Sequence, residues 1–241
     1  MKKLLSIAFL FFLFACSDTQ TPDLPAPAKV IMVPRSDDMA EVERGIDAVP
    51  ESDGIQIQWY DLHDRNVKSY KIYRKNENET FYSLVKTIDL ETAFPGSDTT
   101  YIDAAADLKL NSYNYYCVIA VNKDDMEGQP SDTLRYKLLS KPLTSNPNGE
   151  ISGMPKFYWS FPVVPDSFIL RIEEDFTGRL HFIRKFRSNY DNEYQELDLS
   201  QIENPPQFNS TLWYKWRIDI IGPEPQSSGA ESDWLSFKKV N

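Results

Sequence analysis

Short runs of β-branched and aromatic residues, separated by Asn, Asp, Gly and Pro, recur about every 8 to 15 residues from residue 29 onwards. Within some runs apolar and polar positions alternate, as in Ile55, Ile57 and Trp59. Side chains two residues apart on a strand lie on the same face, so the alternation predicts strands with one face in a core. Many short strands divided by turn residues are typical of an all-β sandwich.

The pattern predicts two groups of strands. The first group covers residues 29–33, 55–60, 67–75, 82–88, 99–103, 113–122 and 131–137. The second group covers residues 156–161, 167–174, 180–186, 194–199, 212–221 and 232–238. Residues 34–54 are predicted to form a loop, in which residues 39–44 make one helical turn.

The second group of strands repeats the design of the first. Trp159 occupies the place of Trp59, and residues 168–172 occupy the place of residues 70–74. The repeat predicts two tandem domains, at residues 28–138 and, more divergent, at residues 142–241. The connection between them is short, which limits the movement of one domain against the other.

Both copies resemble fibronectin type III domains in the order and spacing of their motifs. The matching segments are Ile55-x-Ile57-x-Trp59, Tyr70-Lys71-Ile72-Tyr73-Arg74 and Val118-Ile119-Ala120-Val121-Asn122 in the first copy, and Phe157-x-Trp159, Tyr214-x-Trp216-Arg217-Ile218-Asp219 and Ser232-x-Trp234 in the second. The match in the second copy is looser between residues 175 and 210. The resemblance implies an all-β fold of two tandem immunoglobulin-like (fibronectin type III) β-sandwiches.

The family places a tyrosine six residues before the alanine of its Ala-Val-Asn segment, where the hydroxyl bonds nearby backbone. Counting back from Ala120 leads to Asn114, so the corner is expected to be shifted or absent in the first copy. Tyr214 stands six residues before Ile220, as the pattern requires in the second copy.

The N-terminus has the features of an export signal. Lys2 and Lys3 precede an apolar stretch at residues 4–14, and Leu13-Phe14-Ala15-Cys16 follows. About 12 helical residues reach only about 18 Å, well short of a hydrocarbon core of roughly 30 Å, so the segment is predicted to be a signal peptide. Its end resembles a bacterial lipobox, which implies cleavage after residue 15 and acyl chains, such as palmitate, on Cys16.

Residues 16–27 are rich in proline and lack apolar periodicity, which predicts a flexible tether between the lipid and the first domain. Multiple acyl chains on Cys16 hold a protein stably on a membrane. The expected location is therefore the bacterial cell envelope, at the outer membrane, with the membrane itself as one partner.

The net charge of the chain limits the classes of partner that it is expected to bind. The chain carries 26 basic and 36 acidic residues, a net charge of -10, and cleavage after residue 15 removes Lys2 and Lys3 and makes it -12. Such acidity disfavours binding to phosphate backbones, so no nucleic-acid partner is expected. Only Cys117 would remain as a free thiol, which excludes an intramolecular disulfide.

No catalytic or cofactor motif stands out. The nine glycines form no phosphate-binding pattern, and no sequence of the type G-x-S-x-G or H-E-x-x-H occurs. His63 and His181 are the only histidines and fall in different predicted domains. We therefore expect a protein that is not an enzyme and that holds neither a cofactor nor a metal.

Two features are candidates for binding. Residues 179–187 carry Arg179, Arg184, Lys185 and Arg187 without an acidic residue. They either grip an acidic partner or form an edge strand whose charges block pairing with other molecules, and the edge strand is favoured. Trp213 alternates with Tyr214, so it is either exposed or, as we favour, packed between the domains.

These observations predict an envelope-anchored, non-catalytic binding or scaffold module for an envelope protein or a glycan. The alternatives are a carbohydrate-binding accessory protein of a glycan-uptake system and a structural spacer in an envelope complex. Exposed aromatic side chains in a concave patch would favour the carbohydrate alternative, an apolar patch with a polar rim a protein partner, and a wholly polar surface the spacer.

Overall fold

The computed structural model describes residues 23–91, 99–187, 194–224 and 227–240. Cys16 and the predicted signal peptide lie outside the described residues. The described chain forms strands and a single 3-10 turn at Leu199–Gln201. The strands are β1 (Asp47–Val49), β2 (Gly54–Gln58), β3 (Val67–Asn76), β4 (Ser83–Asp89), β5 (Thr100–Asp103), β6 (Tyr113–Asn122), β7 (Leu134–Leu138), β8 (Leu143–Asn146), β9 (Gly149–Ser152), β10 (Lys156–Ser160), β11 (Ser167–Glu174), β12 (Leu180–Arg187), β13 (Tyr194–Asp198), β14 (Tyr214–Ile221), β15 (Ser228–Glu231) and β16 (Leu235–Val240).

The first seven strands form an N-terminal sandwich. Its smaller sheet has the order β1-β2-β5, and its larger sheet the order β4-β3-β6-β7. Side chains from both sheets fill one core, in which the rings of Trp59 and Tyr70 meet edge to face. Large apolar side chains at every second position of β2 and β3 supply this core, as the alternation predicted.

The remaining strands form a C-terminal sandwich of the same design. The smaller sheet has the order β13-β10-β8, and the larger one is built from β12, β11 and β14, with β15 and β16 both paired to β14. Its core contains Trp159, Trp216 and Phe237, all almost wholly buried. The predicted all-β, immunoglobulin-like fold is confirmed, and the two cores divide the chain between Leu138 and Leu139.

The predicted bounds of β6 and β11 agree with the structure, and most others differ by a few residues. Two expectations for the start of the chain are wrong. Residues 29–33 contribute only an isolated bridge between Met32 and Trp59, and residues 39–44 contain no helix. Four short strands were not predicted, namely β1, β8, β9 and β15.

The two sandwiches share one sheet. Strand β7 pairs in parallel with β15, with Lys137 opposite Ser228 and Leu138 opposite Gly229. This pairing joins the larger sheets of both sandwiches into a single path, β12-β11-β14-β15-β7-β6-β3-β4. The side chain of Leu139 then enters the C-terminal core, so the chain passes from one sandwich to the other without a free linker.

The internal repeat extends to individual hydrogen bonds. The Ser131 hydroxyl accepts a hydrogen bond from the backbone N–H of Val118 at 3.0 Å and donates one to the carbonyl of Asp132 at 2.9 Å. In the C-terminal sandwich the Ser232 hydroxyl accepts a hydrogen bond from the N–H of Ile218 and donates one to the carbonyl of Asp233, at the same distances. A serine therefore fixes the chain between β6 and β7 in one sandwich and between β15 and β16 in the other in the same way.

The corners at the start of β6 and of β14 are held by similar hydrogen bonds, although the residue differs. The Tyr214 hydroxyl accepts a hydrogen bond from the N–H of Asn209, five residues upstream, at 2.9 Å. The Asn114 amide donates to the carbonyl of Lys109, also five residues upstream, at 2.9 Å. Asn114 thus replaces the tyrosine in the N-terminal sandwich.

The last part of the predicted tether lies against the N-terminal sandwich. The Asn122 amide donates hydrogen bonds to the carbonyls of Leu24 and Pro25, and the N–H of Leu24 donates to Asp124. Pro27 is buried, and its carbonyl leaves no room for a β-carbon at Gly128. The chain is therefore fixed to the end of β6 from Leu24 onwards, and a tether of the predicted kind is restricted to residues before it.

Candidate functional site

The joint between the two sandwiches contains the densest group of charged side chains among the described residues. Arg171 on β11 lies directly opposite Arg217 on β14, and both point away from the C-terminal core. A loop of the N-terminal sandwich, residues 36–44, covers them, so that they are only 1% and 3% exposed. Two bonds between Ser36 and Arg44 close this covering loop.

Arg217 contacts three carboxylates. Its guanidinium donates to both oxygens of Glu43 at 2.6 and 2.7 Å and to Oδ1 of Asp219 at 2.7 Å. Its Nη1 lies 2.9 Å from Oε2 of Glu231. Because Glu43 belongs to the covering loop and the other two acids to the C-terminal sandwich, the guanidinium links the two halves.

Arg171 bonds the backbone of the covering loop. It donates to the carbonyls of Ala40 and Glu41 at 2.8 and 3.3 Å, and its Nη2 lies 3.0 Å from Glu43. Buried backbone carbonyls of an irregular loop need hydrogen-bond donors, and the Arg171 guanidinium supplies them here.

The N-terminal sandwich contributes a second group beside the first. Arg35 pairs with Asp38 at 2.5 Å and with Asp47 at 2.9 Å, and the Tyr136 hydroxyl also donates to Asp47. Lys185 of β12 reaches Asp38 at 3.4 Å from the other side. These contacts continue the charged joint to the edge of the shared sheet.

Burial changes the acidity of the joint. It raises the pKa of Asp219 to about 6, although the neighbouring Arg217 opposes the shift. Burial also raises the pKa of Glu231 well above its usual range, again against Arg217. The joint holds more acidic than basic groups in a dry environment, which favours keeping a proton on a carboxylate.

Oxygens of Glu43, Asp219 and Glu231 lie within 4.8 Å of one another, a spacing that suits a metal ion. The guanidinium of Arg217 contacts all three and supplies positive charge at this place. The cavity beside them measures only about 20 Å³, which is room for about one water molecule.

Two open clefts flank the covering loop. One, of about 350 Å³, is lined by Gln56 and Ile102 of the N-terminal sandwich and by Lys215 and Trp234 of the C-terminal one. The Trp234 ring lies 4.3 Å from Nζ of Lys215 and 4.8 Å from Cζ of Arg217. The other cleft, of about 300 Å³, lies along Gln58, Tyr60 and Thr100.

The predicted cationic segment is an edge strand, because β12 pairs only with β11 among the described strands. Arg179 forms an ion pair with Glu174, and Lys185 pairs with Asp38. Arg184 lies opposite the core residue Leu170 and so faces inward, whereas Arg187 is exposed. The four cations therefore do not form one free patch.

Trp213 is 42% exposed, and its carbonyl accepts a hydrogen bond from the N–H of Asp175 at the turn after β11. It lies at the far end of the C-terminal sandwich from the joint, so the favoured packing between the domains is wrong and the exposed alternative is observed. The same turn carries Phe176, which is fully exposed and was not predicted as a binding residue.

The remaining candidates for chemistry have structural surroundings. Burial lowers the pKa of His181, whose ring packs against Phe208 and Tyr214. His63 pairs with Asp61 on an exposed turn. Cys117 is buried in β6, and burial raises the pKa of its thiol, which makes it a poor nucleophile.

Sequence reasoning did not find the joint. Arg171, Arg217 and Asp219 alternate with core residues along β11 and β14, and the covering loop buries the face on which they lie. One signal was present: each of the two most apolar strands of the second half carries an arginine at its centre. Charged residues are rare in such strands unless they are paired.

No protein-family model matches the chain, and no similar sequence is found among curated proteins. Among solved structures, the chain is similar to the FN1–FN3 domains of chicken CNTN1, with 13% identity over 90% of this chain and 68% of that one, and a TM-score of 0.34. A myokine structure has 11% identity over 48% of this chain and all of its own, with a TM-score of 0.34. A β-1,2-glucanase from Parabacteroides distasonis has 20% identity over 49% of this chain and 14% of its own, with a TM-score of 0.33.

Within the described ranges, no helix has the length and apolar character needed to cross a membrane.

Proposed function

We propose that the chain is a bacterial envelope lipoprotein, acylated at Cys16, whose two sandwiches act together as a non-catalytic binding or scaffold module. The lipobox-like Leu13-Phe14-Ala15-Cys16 supports the anchor. The joint supports the proposal that the two sandwiches act together, because a shared sheet and buried ion pairs link them.

The observation that carries the proposal is the shared sheet between β7 and β15, sealed by the contacts of Arg217 and Arg171 with the covering loop. Domains that are joined by a free linker move against each other by default. A joint with main-chain pairing and desolvated arginines instead holds two surfaces at a fixed spacing, which is what a scaffold requires.

The two cysteines of the chain allow a matched test of the anchor. Cys16→Ser is expected to abolish incorporation of radioactive palmitate and to release the protein from membranes, because no other acyl site is proposed. Cys117→Ala, which removes the buried thiol, serves as the control and is expected to keep both acylation and membrane attachment. Equal labelling of the wild type and Cys16→Ser contradicts the proposal.

The non-catalytic part of the proposal is tested with the purified body. Incubation with oligosaccharide, peptide and ester substrates is expected to yield no products above the rate without protein. Reproducible turnover that survives repurification would contradict the binding-module assignment.

The cleft along Tyr60 favours a second candidate, the binding of a neutral glycan. Tyr60 is half-exposed there beside the polar side chains of Gln58 and Thr100, and aromatic rings next to amide and hydroxyl groups suit sugars. Titration calorimetry with envelope oligosaccharides tests it: binding that Tyr60→Ala weakens at least tenfold supports the glycan candidate. Unchanged binding by this variant excludes the cleft.

A further inference from the structure

The end of the C-terminal sandwich that is farthest from the joint carries three apolar side chains close together. Phe176 is fully exposed at the turn between β11 and β12, and Trp213 and Leu212 are 42% and 37% exposed beside it. The hydrogen bond between the N–H of Asp175 and the carbonyl of Trp213, 3.0 Å, holds the two segments side by side. We call these three residues the distal patch.

The register of the shared sheet places the distal patch opposite the membrane anchor. Asn122, where Leu24 and Pro25 are bound, lies at one end of β6, and Tyr113 at the other end lies level with the β7–β15 pairing. From there β15 and β14 continue in the same direction to Tyr214, next to the patch. Roughly 17 residues of extended strand separate Asn122 from the patch, or about 45–55 Å once sheet twist is included.

The anchor segment cannot cover the patch. The eight residues from Cys16 to Asp23 span at most about 25 Å from first to last, and Leu24 is fixed at the opposite end of the sheet. The acidic net charge, -12 once Lys2 and Lys3 are removed by cleavage, also disfavours laying the body flat on an anionic bilayer. The distal patch therefore points away from the surface that holds the lipid.

The shape and charge of the distal patch indicate which class of molecule binds it. Phe176 projects from a tight turn, so the patch is convex, whereas sugars stack on flat or concave aromatic platforms. Nearby, Arg179 is paired with Glu174, and the Asp175 carboxylate accepts a hydrogen bond from the Ser236 hydroxyl at 2.9 Å. A convex apolar knob whose neighbouring arginine is already paired matches a desolvated apolar pocket on a protein.

We propose that the distal patch docks into an apolar pocket of an envelope protein partner, with Phe176 as the inserted side chain and Trp213 and Leu212 as its rim. This inference rests on the proposed function and deepens it, because it assigns the binding surface of the module. The lipid anchor and the patch then connect a membrane to a partner across the length of the shared sheet.

The test uses the full-length, acylated protein in its own envelope. A photoreactive benzoylphenylalanine is placed at position 176 or, as a control, at position 81. Phe81 is the matched control because it too is highly exposed, at the corresponding turn of the N-terminal sandwich between β3 and β4. Irradiation is expected to cross-link one envelope protein from position 176 and not from position 81.

The cross-linked protein is then purified and its affinity measured. Phe176→Ser is expected to weaken binding at least tenfold, and Phe81→Ser to change it less than twofold, with unchanged circular dichroism for both variants. Cross-links to lipid, to glycan, to a second copy of the chain or to nothing overturn the proposal, as does equal cross-linking from both positions or unchanged affinity of Phe176→Ser. If the experiments at position 176 fail, the proposed anchor at Cys16 is unaffected. If acylation of Cys16 is absent, the proposed function is contradicted, but the cross-linking result for the distal patch is not.

Discussion

At the scale of single residues, the joint depends on two arginines whose charge is needed because several acids are buried with them. Arg217 alone contacts Glu43, Asp219 and Glu231. A buried ion pair adds little net stability over an apolar replacement, but removing one partner leaves an uncompensated charge. Arg217 is therefore the residue whose truncation costs most.

Arg217→Ala is expected to lower the free energy of unfolding at pH 7 by about 3–5 kcal/mol, because three carboxylates lose their common partner. Urea denaturation followed by fluorescence measures the change. Lys29→Ala is the control: its pair with Asp132 is exposed, and such pairs contribute about 0–1 kcal/mol. Equal effects of the two substitutions would contradict the buried network.

The raised pKa values of Asp219 and Glu231 predict a pH dependence of known sign. Between about pH 4 and pH 6 the unfolded chain has lost these protons while the folded chain keeps them, so stability falls as pH rises through this window. Hydrogen bonds from Ser200 lower the pKa of Asp198 to about 2. The effect of Asp198 on stability has the opposite sign and is confined to pH values below this window.

Glu231→Gln isolates this effect, because the amide keeps the shape of the side chain without titrating. We expect the stability of this variant to fall less between pH 4 and pH 7 than that of the wild type, because the raised pKa of Glu231 no longer contributes. Chemical denaturation at four pH values measures it. A wild-type profile that rises over this range in parallel with the variant would refute the assignment of the proton.

At the scale of elements, the edge strand β12 shows how charge and position work together. Lys185 and Arg187 lie on its outer face, and β12 is an end of the shared sheet. Cationic side chains at an exposed edge oppose pairing with another molecule.

Replacing Lys185 and Arg187 together by valine is expected to cause concentration-dependent self-association, because the edge then has a high strand propensity and no cation on its outer face. Light scattering after size-exclusion chromatography measures it. If β12 instead binds an acidic partner through these cations, the double variant would remain a monomer and lose that binding.

The corner residues give a second prediction for an element. Asn114→Ala and Tyr214→Phe each remove the bond to the segment five residues upstream, and each is expected to lower the free energy of unfolding by about 1–3 kcal/mol. The Asn114 amide also donates to the carbonyl of Ser112 at 3.2 Å, so its replacement is expected to cost more. Values within 0.3 kcal/mol of the wild type, measured by urea denaturation, would show that the corner is incidental, since hydrogen bonds typically contribute about 1 kcal/mol.

The strands that the sequence pattern predicted are those whose own side chains form the cores. β6 and β11 have long apolar faces, and their bounds were predicted correctly. β15 is as deeply buried, but its sequence Ser-Gly-Ala-Glu has no strand signal, and its structure depends on pairing with β14 and β7. The charged joint was missed for the same reason, since only the docking of the covering loop buries Arg171 and Arg217.

At the scale of the whole molecule, the account describes one elongated body. The tether is bound at one end of the shared sheet, the distal patch lies at the other, and the joint lies between them. A fixed joint makes the separation of the two ends a property of the fold. This is what connects the buried arginines to the proposed scaffold function.

The most direct test is the distance between spin labels at the two ends, on Asp125→Cys and Thr177→Cys in a chain with Cys16→Ser and Cys117→Ala. The account predicts a single narrow distribution centred at about 45–55 Å, as the register of the sheet implies. Arg217→Ala in the same chain is expected to broaden it. A distribution in the otherwise unaltered chain that extends over tens of ångströms would contradict the fixed joint and the scaffold that depends on it.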